Sequence, residues 1–160
     1  MFRAAAIGVA AILAAAGASA EVAPGEIVWG EYGEIEQPLT DTPGDPESGR
    51  VVMGTSALGN CVACHSIEPM QDEAPFHGNI GPELMGAPDR WSEADLRGII
   101  VDAKQLFPDS FMPGMYKVGP FIRPGVEYTG VAPETPEDMK PILTAQQVED
   151  VVAYLMTLTE

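Results

Sequence analysis

Cys61, Cys64 and His65 stand together as Cys61-Val62-Ala63-Cys64-His65, and the 160-residue chain has no other cysteine. Thiols at this spacing can add across the two vinyl groups of a haem, and the histidine that follows then falls beneath the iron. The rival chemistries are a zinc site, a thioredoxin-like redox pair and a plain disulfide. A four-cysteine zinc cage is impossible here, a redox pair is expected beside a βαβ pattern that is missing, and a disulfide leaves the adjacent histidine without a purpose. Covalent haem attachment uses all three residues.

A histidine that ligates iron needs an acceptor for its other ring nitrogen, because that bond fixes the tautomer and the ring plane. Gly81-Pro82-Glu83-Leu84 follows the motif at a distance that lets the chain fold back, so the Pro82 carbonyl is the candidate acceptor. A Gly-Pro pair is equally an ordinary turn. The sixth ligand is sought in Asp109-Ser110-Phe111-Met112-Pro113-Gly114-Met115, where Pro113 would stiffen the loop that presents the Met112 sulfur. Met115 and His77 are the alternatives. Met112 could instead fill the core, as most methionines do, and His77 could be an exposed loop residue. A thioether favours ferrous iron and raises the potential, which suits a site that accepts electrons and passes them on. Arg90, Trp91 and Arg123 are candidates to meet the haem propionates, and each could equally be a surface or core residue.

Three helices must position these groups. The first is expected from Asp45-Pro46 to about Leu58, with Asp as cap and Pro at the first helical position; Gly49, Val52 and Met53 share one face, and Gly49 would let another helix approach. The second starts at Ser92-Glu93-Ala94-Asp95, places Leu96, Ile99, Ile100 and Ala103 on one side, and ends before Pro108. The third opens with Thr144 and Gln147 in capping-box positions and carries the stripe Val148, Val151, Val152, Leu155 and Leu158. No hairpin signal competes with them, so the expected fold is all-α, three main helices with long loops around one covalently bound haem.

Residues 1-20 read as a secretory signal: Arg3, an apolar run from Ala4 to Gly17, then Ala18-Ser19-Ala20 before a mature start near Glu21. The run is shorter than the roughly twenty residues a bilayer span needs, and no later stretch could cross a membrane. The expected location is the periplasm. The formal net charge is -16, and loss of Arg3 with the leader makes it one unit more negative. Such a surface repels phosphate backbones, which argues against a nucleic-acid partner. It suits a partner with a basic docking face, or serves only solubility. Residues 21-44 carry only acidic charges around Ile27, Val28, Trp29, Tyr32 and Ile35. They read as an ordered extension along the domain or along a partner, ahead of a single domain at 45-160.

The order of N-terminal helix, Cys61-Val62-Ala63-Cys64-His65, Gly81-Pro82-Glu83-Leu84, methionine-proline loop and C-terminal helix resembles class I cytochromes c over residues 45-160. Gly78-Asn79-Ile80-Gly81-Pro82, Asp89-Arg90-Trp91, Val101-Asp102-Ala103, Phe107-Pro108-Asp109 and the run Leu143 to Leu155 resemble, more narrowly, the SoxX family, the small cytochrome subunits of SoxAX complexes. This resemblance implies haem c on Cys61 and Cys64, His65 and Met112 as axial ligands, support of His65 by Pro82, and a crossing where Gly49 and Met53 face Tyr154. It also implies a SoxA-type partner, coupling of thiosulfate to a cysteine of the carrier SoxYZ (an L-cysteine S-thiosulfotransferase activity of the assembly), and a downstream cytochrome as acceptor. No catalytic residue is expected in this chain, since it keeps no free thiol once haem is attached. Met115 and the acidic, proline-rich stretch Val131-Pro141 depart from the family pattern. A freely diffusing electron shuttle is the alternative reading, and a ligand-binding or peroxide-reducing haem protein would need an open sixth position.

Overall fold

The computed structural model describes residues 20-119 and 140-160. Residues 1-19, where the secretory signal is expected, Arg123 and nearly all of the 131-141 stretch lie outside the described residues. Within them the regular structure is helical: α1 (Pro46-Gly54), the short α2 (Ala87-Arg90), α3 (Glu93-Asp102) and α4 (Ala145-Leu155), with single 3-10 turns between. Among the described residues there is no strand, only an isolated bridge between Glu21 and Thr40.

Asp45 caps α1 by accepting the Ser48 N-H at 2.6 Å, and Pro46 occupies the first turn, where its missing donor is no loss. The helix stops at Gly54, short of the expected Leu58. Thr55 leaves helical geometry, and its hydroxyl and N-H both bond the Val51 carbonyl, at 2.6 and 3.1 Å. That stop frees the next residues to form the loop before Cys61. Gly49, Val52 and Met53 are buried against α4. A Cβ at Gly49 would lie 2.0 Å from the Asp150 carbonyl oxygen, so only a bare backbone permits this crossing.

Both reciprocal capping boxes form, Ser92 with Asp95 on α3 and Thr144 with Gln147 on α4. The α4 stripe is buried as its period requires, and Leu158 joins the core beyond the helix end. On α3, Leu96 and Ile100 are buried and Ile99 only half-buried, and Ala103, just past the helix end, is buried too. Arg97 and Asp102 are buried as well, which an apolar-period argument does not anticipate.

Residues 21-44 do more than lie along the surface. Val22 N-H bonds the Leu39 carbonyl, Ile35 N-H bonds the Ala94 carbonyl, and Ile35 and Leu39 are core residues. Trp29 is half-buried, whereas Val28 and Tyr32 are largely exposed. Glu149 of α4 ties this segment down. Its carboxylate accepts the Leu39 N-H at 2.8 Å and two bonds from Arg97, at 2.8 and 3.1 Å, while Arg97 also donates to the Ile35 carbonyl at 2.8 Å and to Glu93 at 2.6 Å. Arg97 is 2% exposed. All three nitrogens of the fork donate, so the pair holds three separate stretches of chain together.

Breaking one partner of a buried pair leaves the other charge uncompensated. Arg97→Met should therefore cost about 3-5 kcal/mol in urea unfolding. Combined with Glu149→Leu, the loss should be smaller than with Arg97→Met alone.

Candidate functional site

The motif begins on a strained residue. Asn60 has φ 48° and ψ 38°, the left-handed region that asparagine tolerates better than most residues, and it turns the chain into the 3-10 turn Cys61-Ala63. The Cys64 and His65 N-H groups both bond the Cys61 carbonyl, at 3.1 and 2.9 Å. The two thiols are thus held on one tight turn with the imidazole directly after it. They are not joined in a disulfide. Burial, helped by the neighbouring Cys64, pushes the Cys61 thiol up to about 12. At neutral pH it is a neutral thiol, unlike the depressed thiolate of a redox pair.

The following strip folds back on the motif. Gly78 N-H bonds the Val62 carbonyl at 2.8 Å, Gly81 N-H bonds the Cys64 carbonyl at 2.8 Å, and Leu84 N-H bonds the Ser66 carbonyl at 3.0 Å. These bonds bring the Pro82 carbonyl 2.7 Å from His65 Nδ1. A carbonyl can only accept, so Nδ1 carries a proton, and in the neutral ring that leaves the lone pair on Nε2. A Cβ at Gly81 would lie 2.2 Å from the His65 ring. Glycine here lets the backbone lie flat against the imidazole.

Arg90 donates to the Glu83 carbonyl at 3.0 Å and the Met85 carbonyl at 2.8 Å, so its fork braces the segment that carries Pro82. Trp91 is half-buried and packs edge-on to Phe107, ring centroids 5.6 Å apart. His77 is not the exposed loop residue its position suggests. It is half-buried, and its Nδ1 accepts the Ile67 N-H at 3.1 Å, which commits the ring to bracing its own loop.

Met112 and Met115 separate cleanly. Met115 is 7% exposed and its backbone is paired on both sides, N-H to the Ile100 carbonyl at 3.1 Å and carbonyl to the Leu143 N-H at 2.9 Å. Its side chain belongs to the core cluster. Met112 is half-buried at the core's edge, with its N-H on Ser110 Oγ at 3.1 Å. Phe76, Ile80 and Phe111, which flank the His65-supporting strip and Met112 in the chain, present largely exposed apolar surface of the kind a large flat ligand covers.

The cytochrome c family model matches residues 47-159. The chain belongs to the cytochrome c family. Its cofactor is a covalently bound haem c, and the thiol pair, the free Nε2 and the apolar flanks all fit that group. Among solved structures it is similar to a chain in the crystal structure of SoxXA from P. pantotrophus, at 53% identity and a TM-score of 0.80, covering 88% of this chain and 99% of that one. This match bears out the narrower resemblance to SoxX and the class I cytochrome c fold. No curated protein matches.

Three parts of this arrangement escape a reading of residue types alone. The Asn60 conformation has no periodic signal, although Gly-Asn before a tight turn hints at it. The Arg90 brace requires knowing that carbonyls 83 and 85 face it. The third is an ion pair across the methionine loop, Lys117 Nζ to Asp102 Oδ2 at 2.6 Å, of which the sequence carries only a hint: an acid at a helix C-terminus opposes the helix dipole.

A β-branched side chain cannot take the Asn60 conformation without strain. Asn60→Val should destabilise the holo-protein by about 1-2 kcal/mol and lower the yield of haem attachment, whereas Asn60→Gly should be close to neutral. Urea unfolding together with the ratio of haem absorbance to protein checks both.

Proposed function

We propose that this chain is the electron-transfer subunit of a periplasmic two-cytochrome complex of the SoxAX kind, which couples thiosulfate to a cysteine of a SoxYZ-type carrier. The observation that carries this reading is the breadth of the match to SoxXA. The matched 88% of the chain is more than residues 45-160 amount to, so it extends beyond the domain a free shuttle would need. Residues 1-20 are the export signal, 21-44 the extension and 45-160 the haem domain.

Cys61 and Cys64 would hold the haem through thioether bonds, and His65 Nε2 and the Met112 sulfur would hold its iron. The bound haem supplies a one-electron couple. The Pro82 carbonyl keeps the His65 ring in one tautomer and one plane, which raises its basicity as a ligand. The Met112 thioether favours the reduced state. Both thiols are consumed by attachment, so this chain offers no sulfur nucleophile. Bond formation between thiosulfate and the carrier cysteine falls to the SoxA-type partner, and the electron pair released leaves through this chain one electron at a time toward a downstream cytochrome.

The charge distribution supports protein docking over polyanion binding. Arg97 is spent on Glu149 and Glu93, Lys117 on Asp102, Arg50 on Glu73, and Arg90 on backbone carbonyls. The excess of acids is therefore left facing outward, toward a basic surface.

Gentle purification from the native periplasm should bring down a second c-type cytochrome in fixed ratio, with thiosulfate-dependent reduction of the haem. A lone monomer without that activity would make the free shuttle the better account. Met112→Ala should abolish the red-edge charge-transfer band that ferric iron shows with a thioether ligand and lower the midpoint potential, whereas Met115→Leu should keep the band.

A further inference from the structure

Asp102 is an odd residue for its place. It ends α3, where unpaired helix carbonyls already concentrate negative charge, and it is 3% exposed. A buried carboxylate at that end weakens the helix unless a cation meets it. Lys117 does so, with Nζ 2.6 Å from Asp102 Oδ2, and the Gln105 amide approaches the same oxygen at 3.4 Å.

The chain between the two partners is the segment that carries Met112. Asp102 marks where it leaves α3 and Lys117 where it returns. On the way back, the Met115 and Tyr116 N-H groups bond the Ile100 and Val101 carbonyls at 3.1 and 3.3 Å. A Cβ on Gly114 would lie 3.3 Å from Asp102 Oδ1, so the same carboxylate lies against the backbone just after Met112-Pro113. Within the loop, Lys104 holds the Ser110 carbonyl and Ser110 Oγ holds the Met112 N-H.

We propose that the Asp102-Lys117 ion pair is a clasp that closes the methionine loop and sets how firmly the Met112 sulfur is held on the iron. This rests on reading Met112 as the sixth ligand. Both are positioning residues. Asp102 is shielded from water and Lys117 only partly so, which leaves the pair less screened than a surface pair, and loss of Lys117 strands a buried charge. The cost falls on the loop, which opens more often. An outside ligand that competes with Met112 then binds more tightly, by the factor through which the open population rises.

The test is titration of the ferric holo-protein with imidazole, alongside the thioether charge-transfer band and thermal unfolding. Lys117→Met should tighten imidazole binding about tenfold and weaken the band, and Lys117→Arg should stay within about twofold of the parent. Parental imidazole affinity in a folded Lys117→Met protein overturns the clasp. Should that variant not fold, Asp102→Asn with Lys117→Met removes both charges and strands neither. Tighter imidazole binding by this double variant supports the clasp, and parental affinity overturns it. In a double-mutant cycle the two substitutions together should change affinity by no more than the larger single effect. A parent without the thioether band overturns the Met112 reading and the clasp with it, whereas a parental band indifferent to both substitutions overturns the clasp alone.

Discussion

The 2.7 Å hydrogen bond from His65 Nδ1 to the Pro82 carbonyl requires two stretches of backbone to lie side by side with almost nothing between them. That requirement accounts for the sequence around it. Gly78 and Gly81 are bare because Ala63 and the His65 ring occupy the space a side chain would take. The N-H groups at 78, 81 and 84 bond the carbonyls at 62, 64 and 66, which leaves the Pro82 carbonyl for the imidazole. Arg90 then braces the strip from behind. An imidazole held rigid in this way would cost little further ordering entropy on binding a metal, which is the physical advantage of fixing the ring against the backbone beforehand.

The methionine side is built differently. There the backbone is fastened on both flanks, by Ser110 before Met112 and by Met115, Tyr116 and Lys117 after it, and the thioether projects from the span between. Tyr116 extends the connection further, donating to Glu21 Oε1 and the Val22 carbonyl. Its phenol is held well above the usual tyrosine range by burial and by Glu21. The extension is thus fastened to the methionine loop at Tyr116 and to α3 and α4 through Arg97 and Glu149. One side of the site is a backbone ladder with few degrees of freedom. The other is a loop whose hold depends on side chains, so it is the side that sequence changes can tune.

Much of this was legible in the sequence, and what was legible has a common cause. Capping boxes, the apolar stripe of α4, the bare Gly49 face and the Cys-Val-Ala-Cys-His turn are local patterns, set by residues within a turn or two of one another. What escaped depends on distant partners. α1 stops at Gly54 because the chain must turn toward Cys61. The burial of Arg97 follows from Glu149, far along the chain, and the half-burial of His77 from the fold-back of residues 78-84. Ile35 and Leu39 read as part of an acidic extension and are core residues, because Glu149 draws the Leu39 backbone inward. Pro113 already favoured Met112 over Met115 in the sequence, and the burial of Met115 in the core adds to that difference.

The account turns on which two side chains hold the iron, and proton NMR of the reduced holo-protein reads this directly. A haem ring current shifts the protons of an axial methionine far upfield, so the account predicts one such methyl, assigned to Met112. It also predicts a slowly exchanging His65 Nδ1-H, protected by the Pro82 carbonyl. An upfield methyl assigned to Met115, or no upfield methionine methyl at all, would contradict it.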